Sequence, residues 1–310
     1  MDVVTLTGNL LAEWTFDIVR LNPESTHRAE GMRFHVGGKG INVSRVLGHL
    51  GVASVAHGFA GGALAALCTE WLQSRGIVHT FHPLERGVRP GLVVRETGNR
   101  GLPETTFLGM DLAVGCPAWG AAMQTIGAEG ASWLAICGSI PGWQPSWLEP
   151  LKELMQGGNV QVCADTYGPA LEDLITLPLE LVKINRHELQ RLLPEMAGSD
   201  SIDLLARVSE TSPVRNWIIT DGPGPILAAF ENGDLYEVVP AEVEEVSATG
   251  SGDTFLAAIL QQSLAGASPE EMLAYAAACA SANAASPDIG KFTLPVSERF
   301  RPTIRRIQES

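Results

Sequence analysis

Short apolar runs alternate with amphipathic helical patterns over most of the chain. The strand-like runs lie at residues 3–6, 54–59, 133–137, 160–164, 181–185 and 217–220. The helical patterns lie at residues 64–75, 117–126, 147–155, 187–193 and 202–208. Strands and helices in this order form parallel βαβ units, whose functional groups gather at the carboxyl ends of the strands. The pattern predicts an α/β fold with a central, mainly parallel sheet flanked by helices.

Two stretches depart from this alternation and are typical of β structure. Residues 15–36 alternate loosely in polarity, and residues 92–95 and 105–108 are two β-rich pieces joined by a glycine-containing turn at 98–101. Together they predict a small β-sheet lid formed by about residues 12–36 and 88–110.

The last third of the chain predicts a hairpin and two helices. The hairpin has strands at 225–230 and 235–239, and one helix follows a glycine turn at 250–252. The final helix begins at Ser268-Pro269-Glu270-Glu271, a capping signature, and runs to about residue 285. Because no repeat or interdomain linker interrupts the chain, we expect one domain over residues 1–310.

Composition and charge narrow the possible partners. The chain has 310 residues, 45% of them hydrophobic, and a formal net charge of −14, which disfavours binding to nucleic acid or to an anionic membrane. The five cysteines are scattered without a C-x-x-C pair, which favours a reducing cytoplasm. The start of the chain does not look like a signal peptide, and no apolar run approaches the length of a membrane span.

The first candidate for chemistry is the turn Gly250-Ser251-Gly252 followed by Asp253 at the start of a helix. Free backbone N–H groups and the helix dipole favour an anion there. A carboxylate beside a bound phosphate is unfavourable, unless Asp253 takes a proton from a hydroxyl while the turn stabilises a phosphoryl group in transit. A plain helix cap at Asp253 is the structural alternative.

A second glycine turn, Gly37-Gly38-Lys39-Gly40, also stands at the head of a helix. One face of this helix is apolar (Val43, Val46, Leu47 and Leu50), and another carries Asn42, Arg45 and His49. Such a turn predicts a site for an anion or a polyol. It is not a Walker A loop, because the spacing and the residue after Lys39 both differ from G-x-x-x-x-G-K-[ST].

These two motifs, about 200 residues apart, resemble those of the ribokinase/phosphofructokinase-B family of carbohydrate kinases over nearly the whole chain. Three further segments resemble that family: Gly138-Ser139-Ile140-Pro141, the K-x-N-x-x-E-L segment at 183–189, and the glycine-containing segment at 220–225. The resemblance implies a ribokinase-like fold, and ATP and Mg²⁺ as cofactors.

The resemblance also implies roles at individual positions. Asp253 would be the catalytic base, and the backbone N–H groups of Gly250, Ser251 and Gly252 would form the anion hole. The acceptor would contact Gly37, Gly38, Lys39, Asn42, Arg28 and Arg89. The nucleotide would lie along Lys183, Asn185, Thr220, Gly222 and Gly224, with Asn283 near the adenine. Asn185 and Glu188 would organise Mg²⁺.

Within the family, the start of the chain is most similar to the 1-phosphofructokinase and tagatose-6-phosphate kinase branch, which implies a phosphosugar acceptor. Relatives with a β lid often form a homodimer through it. The expected aspartate for the sugar hydroxyls is replaced by Leu11, with Asn9 or Glu13 as substitutes. The second lid arginine is replaced by Glu104 or Thr105, which would leave the phosphate to Arg28, Lys39, Arg89 and Arg100.

Because of these departures, two alternatives stay open: a kinase of an unphosphorylated sugar or a nucleoside, and a non-catalytic sugar or nucleotide sensor on the same fold. A dinucleotide-binding oxidoreductase is disfavoured, since Gly250-x-Gly252 lacks the third glycine of G-x-G-x-x-G.

Overall fold

The structure is a computed structural model that describes residues 1–98, 104–157, 160–196, 198–296 and 298–307. Its centre is a ten-stranded sheet, in which seven neighbouring strands are parallel and three at one edge are antiparallel. In sheet order the strands are β14 (Thr303–Ile307), β13 (Leu235–Val239), β12 (Ile226–Ala229), β11 (Trp217–Thr220), β10 (Leu181–Asn185), β9 (Gln161–Asp165), β8 (Trp133–Cys137), β1 (Val3–Thr7), β4 (Ser54–Ala60) and β5 (His79–Pro83).

A separate four-stranded sheet stands beside the main one. Its order is β3 (Gly31–Gly37), β2 (Leu11–Ile18), β6 (Arg89–Glu96) and β7 (Glu104–Leu108). The pair β2–β6 is parallel and the outer pairs are antiparallel. The predicted small sheet is confirmed, but β2 begins at Leu11, four residues before the start predicted from polarity. The turn predicted at 98–101 lies largely outside the described residues.

Nine helices complete the described part of the chain, together with three 3₁₀ turns. They are α1 (Lys39–His49), α2 (Gly62–Gln73), α3 (Cys116–Glu129), α4 (Leu148–Gly157), α5 (Pro169–Leu174), α6 (Arg186–Leu192), α7 (Ser201–Thr211), α8 (Ser251–Leu264) and α9 (Pro269–Ala284). Within the described residues, none of them combines the length and apolarity that a membrane crossing requires.

The helices cover both faces of the main sheet, as alternating side chains on the strands require. On β8, Leu134 and Ile136 pack into the core layer that includes α3 and α4, whereas Trp133 and Ala135 pack into the layer that includes α1, α8 and α9. Helices α1 and α8 also pack against each other. This contact brings the two glycine turns, one at the head of each helix, to the same edge of the sheet.

Candidate active site

Asp253 lies in the first turn of α8, where only 7% of its surface is exposed. The helix begins after Gly250, whose φ of 77° is a left-handed conformation that glycine adopts without strain. The side-chain amide of Asn42, in the first turn of α1, donates a hydrogen bond of 2.7 Å to Asp253 Oδ2. The structure therefore joins the two glycine motifs through one side-chain contact.

The pKa of Asp253 is raised to about 6, chiefly by burial and next by the nearby negative charge of Asp165. The hydrogen bond from Asn42 and the positive charges of Lys183 and Lys39 act in the opposite direction. A carboxylate with a pKa close to neutrality can accept a proton and release it again at physiological pH.

Asp165 is a fully buried carboxylate at the end of β9, and the sequence motifs did not identify it. Lys39 Nζ donates to its Oδ1 at 2.5 Å, and Lys183 Nζ donates to its Oδ2 at 2.7 Å. Burial alone would raise the pKa of Asp165, but the two lysines outweigh burial and lower it. The signal for Asp165 was its place directly after a buried apolar run, at the carboxyl end of a parallel strand.

Lys39 joins the glycine turn at 37–40 to the K-x-N-x-x-E-L segment at 183–189, since its Nζ also lies 3.8 Å from Glu188 Oε1. Burial lowers the pKa of Lys39, but Asp165 and Glu188 reverse that effect and raise it above the ordinary value. Lys39 is therefore a permanent cation between the two halves of the site. Lys183 also lies next to the glycine turn of α8, because a Cβ on Gly252 would lie 2.9 Å from Lys183 Nζ.

Asn185 and Glu188 form a reciprocal capping box at the start of α6. Asn185 Oδ1 accepts from the Glu188 N–H, and Glu188 Oε2 accepts from the Asn185 N–H, both at 2.9 Å. The cap leaves Glu188 Oε1 directed toward Lys39. Among the described residues, no three His, Cys, Asp or Glu side chains are grouped so as to hold a metal ion, so the predicted Mg²⁺ role of this pair stays a prediction.

The predicted nucleotide-side residues follow β10 and β11, which run side by side. Thr220 pairs in register with Asn185 at the ends of these strands. The next turn contains Gly222 with a φ of 56°, and the Gly224 N–H donates to the Asp221 carbonyl at 2.8 Å. These residues share one edge of the sheet with Asp253, as the resemblance implied.

Two of the predicted site residues have contacts that the sequence did not suggest. The Asn283 side chain is 1% exposed and lies behind the turn, where its Nδ2 donates to Thr249 O at 3.1 Å and its Oδ1 accepts from the Gly290 N–H at 3.0 Å. The Ser251 N–H donates to Ala248 O at 3.1 Å. Asn283 thus supports the turn, and Ser251 is already engaged within it.

At the acceptor end, Leu11 packs where the family pattern has an aspartate. A Cβ on Gly37 would lie 3.3 Å from Leu11 Cβ, and one on Gly38 would lie 2.5 Å from Thr7 Cγ2. The backbone here is therefore closely packed, which explains the two adjacent glycines.

Arg89 and Asn9 meet at Asp111 in the same region. Arg89 forms an ion pair with Asp111 Oδ1, and Asn9 Nδ2 donates to the same oxygen at 2.8 Å. The hydrogen bond from Asn9, followed by Arg89, lowers the pKa of Asp111. Arg28 lies in the exposed segment between β2 and β3, and no contact with a described residue brings it to this cluster. Arg100 lies outside the described residues.

The similarity of this chain to known proteins is consistent with the arrangement of these residues. The sequence pattern of the pfkB family carbohydrate kinases matches residues 4–294. The chain belongs to this family. It is therefore a carbohydrate kinase with a ribokinase-like α/β fold, as its two glycine motifs predicted.

The pfkB relatives with similar sequences cover nearly the whole chain. A 1-phosphofructokinase of Rhodobacter capsulatus is 26% identical over 85% of this chain and 84% of that protein. A tagatose-6-phosphate kinase of Staphylococcus epidermidis is 25% identical over 99% of this chain and 98% of that protein.

Solved structures of the family share the fold. The phosphofructokinase-2 of Escherichia coli in complex with fructose-6-phosphate has a TM-score of 0.81 and 26% identity, covering 91% of this chain and 93% of that chain. The ribokinase of Thermotoga maritima has a TM-score of 0.70 and 18% identity, covering 94% of this chain and 95% of that chain, which shows likeness of fold alone.

Proposed function

We propose that this pfkB kinase transfers the γ-phosphoryl group of ATP to a hydroxyl of a phosphosugar of the fructose-1-phosphate or tagatose-6-phosphate type. The observation that carries the proposal is the buried Asp253 carboxylate, held by Asn42 at the head of a helix beside the Lys39–Asp165–Lys183 cluster. The relatives named 1-phosphofructokinase and tagatose-6-phosphate kinase support the acceptor class.

In this mechanism Asp253 removes the proton from the acceptor hydroxyl. The hydroxyl oxygen then forms a bond to the γ-phosphorus while the bond to the β–γ bridging oxygen breaks, so that ADP leaves. The N–H groups of Gly250 and Gly252 face the charge on the transferring group, since the Ser251 N–H is engaged with Ala248. Asn42 orients the base through its hydrogen bond.

Lys39 and Lys183 supply the positive charge that a phosphoryl group in transit requires. Asp165 is a positioning residue, because it holds both ammonium groups through charge-assisted hydrogen bonds. Lys183 lies directly behind Gly252, which places its charge at the anion turn. Positioning and electrostatic stabilisation of this kind carry most of the catalysis in phosphoryl transfer.

The residues present fit Mg²⁺ held chiefly by ATP and water. Mg²⁺ keeps several waters and in kinases is bound through one or two carboxylates and the substrate phosphates. Glu188 Oε1, which takes no part in the capping box and lies 3.8 Å from Lys39 Nζ, is the carboxylate oxygen that could hold such a water shell. When bound, the ion neutralises charge on the phosphates.

We also propose that Arg89 binds the phosphate already present on the acceptor, exchanging its partner Asp111 for that phosphate. The proposed use of ATP, which is abundant in the cytoplasm, and the five free cysteines support a cytoplasmic location. The apolar residues exposed on the small sheet support a homodimer formed through this lid.

The test is an assay of ADP release with ATP, Mg²⁺ and five acceptors: fructose-1-phosphate, tagatose-6-phosphate, fructose-6-phosphate, free fructose and a nucleoside. We expect turnover with a phosphosugar and its loss by about three orders of magnitude in Asp253→Asn, with ATP binding retained. Turnover only with the unphosphorylated acceptors would contradict the acceptor class. Ligand binding without turnover of any acceptor would identify a sensor.

A further inference from the structure

Four basic side chains line a cleft that the catalytic mechanism does not use. They are Arg45 and His49 of α1, Arg75 just after α2, and Lys291. We call them the basic cleft. It has a volume of about 560 Å³ and lies where α1 ends and β4 begins, whereas the catalytic residues lie where α1 begins. In a chain with a net charge of −14, such a concentration of positive charge is a distinct local feature.

Arg45 has no counterion of its own in the described structure. Its guanidinium forms neither a hydrogen bond nor an ion pair with any described residue, although the side chain is partly buried. Burial lowers the pKa of Arg45, Arg75 lowers it further, and Asp288 only partly opposes these effects. The charge on Arg45 would therefore be stabilised by an anion in the cleft.

Arg75 is held in position without any carboxylate. Its guanidinium carbon lies 3.9 Å from the centre of the Trp71 ring, and its Nη1 donates to Ser74 Oγ at 3.0 Å. Stacking of this kind leaves the remaining N–H groups of an arginine free for a bidentate partner.

The acidic groups near the cleft do not cancel its charge. Asp288 pairs with Lys291 at 2.6 Å, and Asp2 accepts a hydrogen bond from the Ala53 N–H. Neither of these two carboxylates lines the cleft, and its two arginines and one lysine outnumber them. Guanidinium forks match the oxygens of a phosphate group, and the cleft volume lies within the range of small-molecule sites.

The segment that carries Lys291 also contacts the catalytic turn. A Cβ on Gly250 would lie 2.5 Å from Ile289 Cγ1, so Ile289 packs directly on the turn. The Gly290 N–H donates to Asn283, which supports the same turn, and the Phe292 ring lies 4.9 Å from that of His49. Residues 289–292 therefore run from the Gly250 turn to the basic cleft.

We propose that the basic cleft binds a small phosphate-bearing molecule, and that binding orders residues 289–292 and, through them, the catalytic turn. The phosphate group pairs with Arg45 and Arg75, while Lys291 exchanges part of its contact with Asp288 for the ligand. The site is separate from the acceptor and ATP sites, and neither binding nor its structural effect requires turnover.

The binding test is calorimetry with inorganic phosphate, performed with the active site saturated by a non-hydrolysable ATP analogue. We expect the double variant Arg45→Gln/Lys291→Gln to weaken binding by about tenfold or more, through the loss of two cationic partners. Arg305→Gln removes the same kind of charge on the distant strand β14 and should leave binding unchanged. Equal binding by wild type and double variant, or no binding to the wild type, would overturn the site.

Because Arg45 is partly buried, the double variant could fold poorly. The single variants Lys291→Gln and Arg75→Gln, at exposed positions, provide a second test that avoids this problem. Each should weaken phosphate binding by about threefold or more. Normal binding by both would exclude the cleft. A sugar bisphosphate and a nucleoside triphosphate, titrated in the same way, distinguish the two sources of the phosphate group.

Hydrogen exchange tests the connection to the catalytic turn. With phosphate bound, we expect slower exchange in residues 45–49 and 286–292, and also in residues 248–254, in the wild type but not in the double variant. Protection confined to the cleft would overturn the transmission to the turn.

Discussion

At the scale of single residues, the function of this kinase depends on where charge is buried. Asp253 is destabilised as an anion by burial and by Asp165, and it is supported by Asn42. The same environment raises its pKa to about 6. As the proposed base, Asp253 would be inactive when protonated, so the direction of the expected pH dependence follows from this pKa.

We expect kcat/KM to be constant above neutrality and to fall about tenfold per pH unit well below pH 6, because only deprotonated Asp253 accepts the proton. In Asp165→Asn, the negative charge that raises this pKa is gone and two lysines lose their partner. The acidic limb should therefore move to lower pH by about half a unit or more, and kcat should fall by about tenfold or more.

The control for this prediction is Asp173→Asn on α5, whose carboxylate accepts a hydrogen bond of 2.7 Å from Trp143. It should leave the pH profile in place. A limb that stays at the wild-type pH in a folded Asp165→Asn protein, as judged by circular dichroism, would contradict the charge coupling between Asp165 and Asp253.

The sequence predicted Asp253, Asn42 and Lys39 as site residues because each stands in a short motif whose chemistry is readable. Asp165 has no such motif, and its role exists only once α1 and β10 place Lys39 and Lys183 against the end of β9. A carboxylate that acts through lysines far away in the sequence can be recognised only from the folded arrangement.

At the scale of elements, the start of α8 depends on the left-handed Gly250. In Gly250→Ala, the new methyl group would lie only 2.5 Å from Ile289 Cγ1. In addition, the backbone φ of 77° is unfavourable for alanine. We expect kcat to fall by about a hundredfold and the free energy of unfolding to fall by about 2 to 4 kcal/mol. Steady-state kinetics and urea denaturation measure the two effects.

Gly266→Ala is the matched control, because Gly266 has a φ of 71° but no atom within 4 Å of the added methyl group. This substitution should cost only about 1 kcal/mol of stability, from backbone strain, and should leave kcat unchanged. Similar losses of activity in both variants would show that strain, and not the contact with Ile289, accounts for the effect.

Most helices and strands were predicted correctly from polarity patterns. The strands that were missed can be explained physically. The strands at 133–137 and 217–220 were confirmed because they are buried runs of apolar residues. The edge strands β5 and β14 were missed, since β5 contains two histidines and β14 contains two arginines. These residues form strands because each segment pairs with one neighbouring strand, and not because both of its faces are buried.

At the scale of the whole molecule, one face of the small sheet is apolar and partly exposed. The register places Trp14 opposite Phe34 and Leu92, with Phe107 next to Leu92, so these four side chains share a face. Met32, on the same face, is 65% exposed, and Phe107 is 53% exposed. An exposed apolar sheet face of this kind is typical of an interaction surface.

The homodimer proposed through the lid would cover this face, because an isologous contact would stack two identical apolar sheets over the exposed rings. We expect the double variant Met32→Glu/Phe107→Glu to shift the protein to the monomer, since four charges would then enter the two-fold interface. Light scattering coupled to size exclusion measures the mass directly. Ile202→Glu, at an exposed apolar position on α7, should leave the dimer intact. A wild type that is monomeric, or a dimer that persists in the lid variant, would exclude association through the lid.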